Sequence, residues 1–421
     1  MKLSGIDAMD DTLTSRRALL ILNALPNLGP ITLRRLLEAF GGDPARALTA
    51  SARELRQVKG VGEVIAGTIA AWREHFDPER EEQMLAACGG KFLVAEDAEY
   101  PSLLRDIHDP PIGLYCLGEY AGADRAVAIV GSRRATLYGQ AVARRLAGDL
   151  ARLGFWVVSG GARGIDATAH EGALEAGGKT AVVLGNGLDI VYPPEHLELF
   201  RRIAASGAVL SEFPLGRKAD RQTFPMRNRL IAGMCRAVVV VESDVNGGSL
   251  ITAAQAIEQG REVFAVPGRI DQVSSRGCHK LIREGEAKLI TGVEDMLEEW
   301  GRDGQLKITL DQALPPAAAG PDAEALAALG EDGRRVYERL RADKPLHPDE
   351  LAAHTDLPSA RVAASLLLLE LKRLIVKRGE RSRTGDSTQP GGQPNGRPPS
   401  KWMWRWGTVS PPSAPLLMTT R

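Results

Sequence analysis

The sequence predicts an α/β protein: a Rossmann-like, doubly wound, mainly parallel sheet set between an N-terminal helical domain and a C-terminal winged-helix domain. Three observations carry this. From Ala126 to Trp300 short β-branched runs alternate with helical stretches, and that alternation implies a parallel sheet covered on both faces. Several of those runs end in glycine-containing turns, VGSR, SGGARGID, GNGLD and VPGR, where such sheets bind ligands. The flanking segments carry helical periodicity instead, and 421 residues allow two or three domains.

Residues 1–90 read as helices broken by glycine turns. Two hairpins are expected, LPNLGPITLRRLLEAFG and LRQVKGVGEVIAGTIAAW. The second resembles a helix-hairpin-helix unit, in which Gly60 and Gly62 let backbone N–H groups approach a phosphate at a helix N-terminus. Residues 91–122 form a connector with turns at Pro110-Pro111 and Gly113. The strands and helices then follow in order to residue 300: AVAIVG, the helix YGQAVARRLAGDLARLG, FWVVSG, a helix after Asp166, TAVVLGNG, a helix after Pro194, AVLSEFP, AVVVVES, a helix from Ser249, and EVFAVPG.

Residues 301–321 are a linker rich in Ala, Pro and Gly. Residues 322–381 carry three helical patterns, Pro348 near the start of the second, and the short strand LIVKRG, an order that suits a winged helix. The leucine-rich helix ASLLLLELKRL would occupy the recognition position, but it reads as core, because a groove-reading helix needs polar side chains aimed at base edges. Residues 382–421, rich in Gly, Pro, Ser and Thr and ending in KWMWRWG, are expected to be disordered.

With 44% hydrophobic and 25% charged residues and a formal net charge of zero, the chain has no generally basic surface, so any polyanion site must be local. Cys88, Cys116, Cys235 and Cys278 form no CxxC pair; they read as buried free thiols in a reducing compartment, with no metal. No run approaches the roughly 18 apolar residues of a membrane span, and the N-terminus lacks the apolar stretch of a secretory signal. A cytoplasmic protein without membrane contact is expected.

The local concentration of charge is Phe213–Gly233, FPLGRKADRQTFPMRNRLIAG, in which Arg217, Lys218, Arg221, Arg227 and Arg229 are opposed only by Asp220. Read as a basic loop beside Phe224, it suits a polyanion carrying flat bases: arginines take phosphates while the ring stacks. Gly131-Ser132-Arg133 places a hydroxyl and a guanidinium at a helix entry, and Arg163 adds charge at the next glycine turn. Gly185-Asn186-Gly187 lacks a third glycine three places on, and no G-x-x-x-x-G-K-[ST] loop exists, so neither a dinucleotide nor an ATP cofactor is called for. Asp166, His170 and Glu171, at helical spacing after the SGGARG turn, and Glu242 at the end of a strand are the groups a hydrolase could use. Asp166 equally fits as a helix N-cap and His170 as a half-buried helix residue.

The runs AIVGSRRATLYG, SGGARGIDATAHEGAL, GLDIVYPPEHLELF, FPMRNRLIAG, GGSLITAAQAIEQGREVFAVPG and GCHKLIREGEAKLI resemble, in order, the DNA-processing protein A (DprA/Smf) family over roughly residues 20–300. The N-terminal module resembles the family's sterile-alpha-motif-like domain, and residues 325–380 its winged helix. The resemblance implies a non-catalytic protein that binds and protects single-stranded DNA, loads the RecA recombinase during natural transformation, and dimerises through the α/β domain. By motif position Arg133, Arg221, Phe224 and Arg227 would touch the strand, while Ser132, Gly160 and Gly161 would shape the floor. Arg163, Asn228 and Arg229 complete the candidate site. Gly247, His279 and Glu286 depart from the family's usual serine, asparagine and alanine. The competing class is a nucleotide-hydrolysing enzyme of the lysine-decarboxylase-like phosphoribohydrolase type, but NGGSLITAAQAIEQG lacks the proline of its PGGxGT turn.

Overall fold

Short amphipathic runs broken by glycine and proline fold as short helices. In the computed structural model, which describes residues 13–122, 125–302, 330–340 and 348–371 with the strands Ile375–Gly379 and Trp402–Trp406, these are α1 (Ser15–Ala24), α2 (Pro30–Ala39), α3 (Pro44–Thr49), α4 (Ala52–Leu55), α5 (Glu63–Ala70), α6 (Trp72–His75) and α7 (Pro78–Ala87). Asp43 and Asp77 cap α3 and α7, each followed by a proline where the missing N–H is harmless. The two expected hairpins are α1–α2 and α4–α5. Gly60 makes the second turn at φ +92°, and Val58 and Val61 close over a core with Ile21, Leu36, Leu55 and Ile69.

The sheet contains β1 (Gly90–Leu93), β2 (Leu114–Gly118), β3 (Ala126–Val130), β4 (Trp156–Ser159), β5 (Thr180–Leu184), β6 (Ala208–Ser211), β7 (Ala237–Val240), β8 (Glu262–Ala265) and β9 (Lys288–Leu289), in the order β1-β2-β6-β5-β4-β3-β7-β8-β9. From β6 to β9 every pairing is parallel. The ends of the segment read as a connector supply β1 and β2, which extend the sheet antiparallel. The apolar run LYCLG is the strand signal there, overshadowed by the Pro-Pro and glycine turns before it.

Between the strands run α8 (Leu137–Arg152), α9 (Ile165–Glu175), α10 (Leu197–Ser206), α11 (Thr223–Gly233), α12 (Gly248–Glu258), α13 (Arg276–Arg283) and α14 (Val293–Arg302). Alternate residues of a strand face opposite sides. Ala126, Ala128 and Val130 join one core with α11 and α12, while Val127 and Ile129 join the other with α8 and α9. A further cluster binds the helical module to the sheet, with Leu20 of α1 and Leu85 of α7 packed among Phe92, Tyr115, Leu184 and Phe200. The chain steps outward from β3 to β6 and then returns to β7 on the other side of β3. The carboxyl ends of β3 and β7 therefore flank the point where strand order reverses, the position at which open α/β sheets take ligands.

The chain divides into two units, Met1–Leu314 and Pro315–Arg421. The second is a winged helix made of α15 (Glu331–Arg339), α16 (Pro348–Thr355), α17 (Ser359–Leu371), β10 (Ile375–Gly379) and β11 (Trp402–Trp406). Leu366 and Leu369 of α17 are fully buried with Val336 and Leu351, but Leu367 and Leu368 are 55% and 52% exposed, so the leucine run is only half core. The tail expected to be disordered contributes β11, antiparallel to β10. Alternating tryptophans are strong strand formers, a signal that the polar composition around them obscured. Beyond Arg302 the expected linker, and the tail outside β11, fall outside the described residues. No described helix is long and apolar enough to cross a membrane. Cys116, Cys235 and Cys278 are buried free thiols, whereas Cys88, expected with them, is exposed.

Candidate nucleic-acid interface

The floor of the site is the turn after β4. Gly161 has φ +66°, and a Cβ there would lie 2.7 Å from Val182 and 2.9 Å from Phe200. A Cβ on Gly160 would meet the Arg227 guanidinium at 2.4 Å. Only glycine fits both. Asp166 was expected to cap α9, but the N-cap is Gly164. Asp166 instead accepts the N–H groups of Gly160 and Ala162 at 3.2 and 3.3 Å, which braces the glycine turn. Burial pushes its carboxyl up, opposed by the Arg227 charge.

The arginine-rich segment is a loop only as far as Gln222. Asp220 takes the N–H groups of Gln222 and Thr223 at 2.7 and 2.9 Å and so starts α11. Once helical, the segment turns Thr223, Arg227, Leu230 and Ile231 inward. Arg227 is 4% exposed. It donates to the carbonyls of Gly160 at 2.7 Å and of Val183, and to Asn228 Oδ1 at 3.2 Å. Burial lowers it to about 10, with Asp166 opposing. Arg229 is 5% exposed and lies outside the groove, ion-paired with Glu212 and Asp109. The expected pair of surface cations is therefore internal structure: the two side chains leave α11 on different faces, and each face is covered, Arg227 by the β4 and β5 ends and Arg229 by Asp109 and Glu212.

The exposed groups gather elsewhere. The Arg133 guanidinium lies 5.2 Å from the ring centroid of half-buried Phe224, whose other neighbour is Tyr192, centroid to centroid 5.8 Å. Arg133 and Arg221 are exposed and pair with no described acid. Arg163 is exposed but ion-paired with Glu195, so a phosphate would have to displace that carboxylate. Ser132 is half-buried. Its N–H donates to the Glu242 carbonyl at 2.7 Å and its hydroxyl accepts from Arg134 N–H at 3.1 Å, which fixes the β3 turn.

Arg133, Arg163, Arg227, Tyr192 and Phe224 meet around a shallow groove at the carboxyl ends of β3, β4 and β5. Gly160, Gly185 and Asn186 are among the uncharged residues completing it. No Asp, Glu, His or Cys lines it. Ser132, Gly161, Asn228 and Arg221 stand outside the lining, Arg221 on the exposed turn before α11. Tyr192 and the Gly185-Asn186 turn were missed as site residues. Their signal was an aromatic before two prolines in the loop beyond β5, and a glycine turn weighed only for dinucleotides. Such an arrangement has the chemistry to take an anion beside an aromatic ring that already carries a cation.

The groups weighed for hydrolysis are placed otherwise. His170 is fully buried, its Nδ1 2.7 Å from the Thr180 hydroxyl. Glu242 is 2% exposed and accepts the Thr136 N–H at 2.8 Å and the Thr136 hydroxyl at 2.5 Å, which ties β7 to the start of α8.

The chain matches the family described as DNA recombination-mediator protein A over residues 91–301, and the DprA winged helix domain over residues 317–379. Protein Smf of Synechocystis is 36% identical over 374 residues, 83% of this chain and 93% of that protein. DNA processing protein DprA of Bacillus subtilis is 38% identical over 269 residues, 63% of this chain and 89% of its own. The X-ray structure of DNA processing protein A from Streptococcus pneumoniae superposes with a TM-score of 0.60 at 33% identity, covering 68% of this chain and 98% of that one. Two matched domains in the expected order, the first on a sheet whose carboxyl edge from β3 to β5 carries the groove, make this chain a member of the DNA recombination-mediator protein A (DprA/Smf) family.

Proposed function

We propose that this chain binds single-stranded DNA in the groove, shields it, and delivers it to the RecA recombinase in the cytoplasm as a non-catalytic homodimer. The observation that carries the reading is the Phe224 ring at the groove with Tyr192 and the Arg133 guanidinium beside it. A base stacked beside Phe224 would bring its phosphates to Arg133 and Arg221, with Arg163 available once released from Glu195, a sequence-tolerant mode of contact. Ser132, Gly160, Gly161, Arg227, Asn228 and Arg229 support this surface from within. An unpaired sheet edge supports the dimer: Leu289 of β9 is 44% exposed, and Ile270 and Val273 in the loop after β8 are 91% and 50% exposed. Three arginines and two aromatic rings around the groove favour the binding of an anion that carries flat bases.

The test is equilibrium binding of a fluorescent oligonucleotide, single-stranded and duplex, across a salt series for wild type and Arg133→Ala. The reading expects salt-sensitive preference for the single strand, lost in the variant. Binding indifferent to strand form and to Arg133 would refute it. RecA filament formation on protein-coated DNA tests delivery, and sedimentation of Leu289→Arg tests the dimer.

A further inference from the structure

The loop that leads from β6 to the groove is held by the helical module. In the turn Pro214–Arg217 the Leu215 N–H donates to Glu81 Oε1 of α7 at 2.8 Å. The Gly216 N–H meets both carboxylate oxygens of Asp189, at 2.9 and 3.0 Å. The Arg217 N–H closes on the Pro214 carbonyl at 3.2 Å, and its own carbonyl accepts from Gly187 N–H at 2.9 Å. Each amide from 215 to 217 thus has one acceptor, and the first belongs to another part of the unit. Glu81 is 7% exposed. A second strap lies beside it, where Asn23 Nδ2 of α1 donates to the Glu212 carbonyl at 2.9 Å.

The far end of the same loop is the binding surface. Gly187 belongs to the Gly185–Gly187 turn, part of which lines the groove, and Asn186 is 1% exposed, its carbonyl accepting from the Ser211 hydroxyl at 2.7 Å. Four residues after Arg217 comes exposed Arg221, and Phe224 follows. A loop with a cationic, exposed stretch keeps a defined path only where its backbone is fixed at the start. The Glu81 carboxylate supplies that fixed point from outside the α/β domain.

We infer that Glu81 is a positioning residue for nucleic-acid binding, and that through it the N-terminal helical module sets the path of the Pro214–Phe224 loop along the groove. The inference rests on the groove's being the single-stranded DNA site. It gives the helical module a role in binding that needs no contact between that module and DNA.

The experiment uses the full chain with Glu81→Met, which keeps the bulk and removes the acceptor, and Glu81→Gln, which keeps an accepting oxygen. Amide exchange at Leu215 and Gly216 is followed beside single-stranded oligonucleotide affinity and thermal unfolding. Glu81→Met is expected to speed exchange at Leu215 and to weaken binding roughly tenfold, the size of one buried N–H left unsatisfied. Glu81→Gln should restore most of both. Should Glu81→Met fail to fold, Asp189→Ala, which frees only the next amide, is expected to weaken binding in the same direction. Wild-type affinity in Glu81→Met with faster exchange at Leu215 would overturn the positioning role alone. Wild-type protein that binds no single strand, or binds it independently of Arg133, would overturn the reading of the groove and this inference with it, while the exchange data would still report the strap.

Discussion

The guanidinium of Arg133, from the turn after β3, lies over the ring of Phe224, from the start of α11, at 5.2 Å from its centroid. The two residues are 91 positions apart in sequence, and the doubly wound topology brings them to one rim. Phe224→Ala is expected to weaken single-stranded DNA binding by about 1–3 kcal/mol if the ring stacks on a base. Because Arg133 also holds the ring, the double variant with Arg133→Ala should lose less than the sum of the single losses. Oligonucleotide titration of the four proteins at one salt concentration checks this; strict additivity would show that the two act apart.

Arg221 and Arg227 are six residues apart and should behave in opposite ways. Arg221→Ala removes an exposed cation, so stability should stay within about 0.5 kcal/mol while affinity falls and the salt dependence becomes shallower. Arg227→Ala leaves the Gly160 and Val183 carbonyls without their buried donor and removes the charge that opposes the burial of the Asp166 carboxylate. A loss of about 3–5 kcal/mol in unfolding free energy is expected. Urea unfolding and oligonucleotide binding measured on both variants separate the two roles.

The strand and helix order from β3 to β8 was legible because buried parallel strands read as unbroken apolar runs closed by glycine turns. Arg133, Gly160, Arg163 and Phe224 were legible as groove residues for the same reason: each stands at or just after the end of such a run, or beside the basic stretch. The inward turn of Arg227 and Arg229 was not. A run dense in arginine reads as solvated loop, and only the contacts with Gly160, Glu212 and Asp109, all remote in sequence, show that α11 buries them. Tyr192 was hidden in the same way, since its partner Phe224 comes from the start of α11, remote in sequence.

Gly161→Ala tests the glycine floor. The residue sits at φ +66°, and its Cβ would press on Val182 and Phe200. Strain from the left-handed backbone and from crowding together should cost about 1–3 kcal/mol. Gly177→Ala, also at positive φ but with open space around it, isolates the backbone part. Thermal unfolding of the pair is the check: equal losses would show that Val182 and Phe200 yield.

His170 gives the fold a pH dependence of known sign. Its Nδ1 meets the Thr180 hydroxyl, which itself donates to the Val157 carbonyl at 2.6 Å. That hydroxyl must accept from the ring, so Nδ1 carries the proton and Nε2, buried with no described partner, is bare. Burial lowers the imidazole to about 3, with the charges of His196 and Arg227 adding to the effect. The unfolded chain takes up its proton near pH 6.5. Between those values the unfolded state holds more protons than the folded one, so the His170 contribution is complete above about pH 6.5 and falls as pH drops toward 3. His170→Gln removes this term. The difference in unfolding free energy between wild type and variant, measured by urea titration from pH 7 to pH 4, should therefore move steadily against the wild type as pH falls. A difference that stays constant across that range would mean that the ring titrates alike in both states and that solvent reaches Nε2.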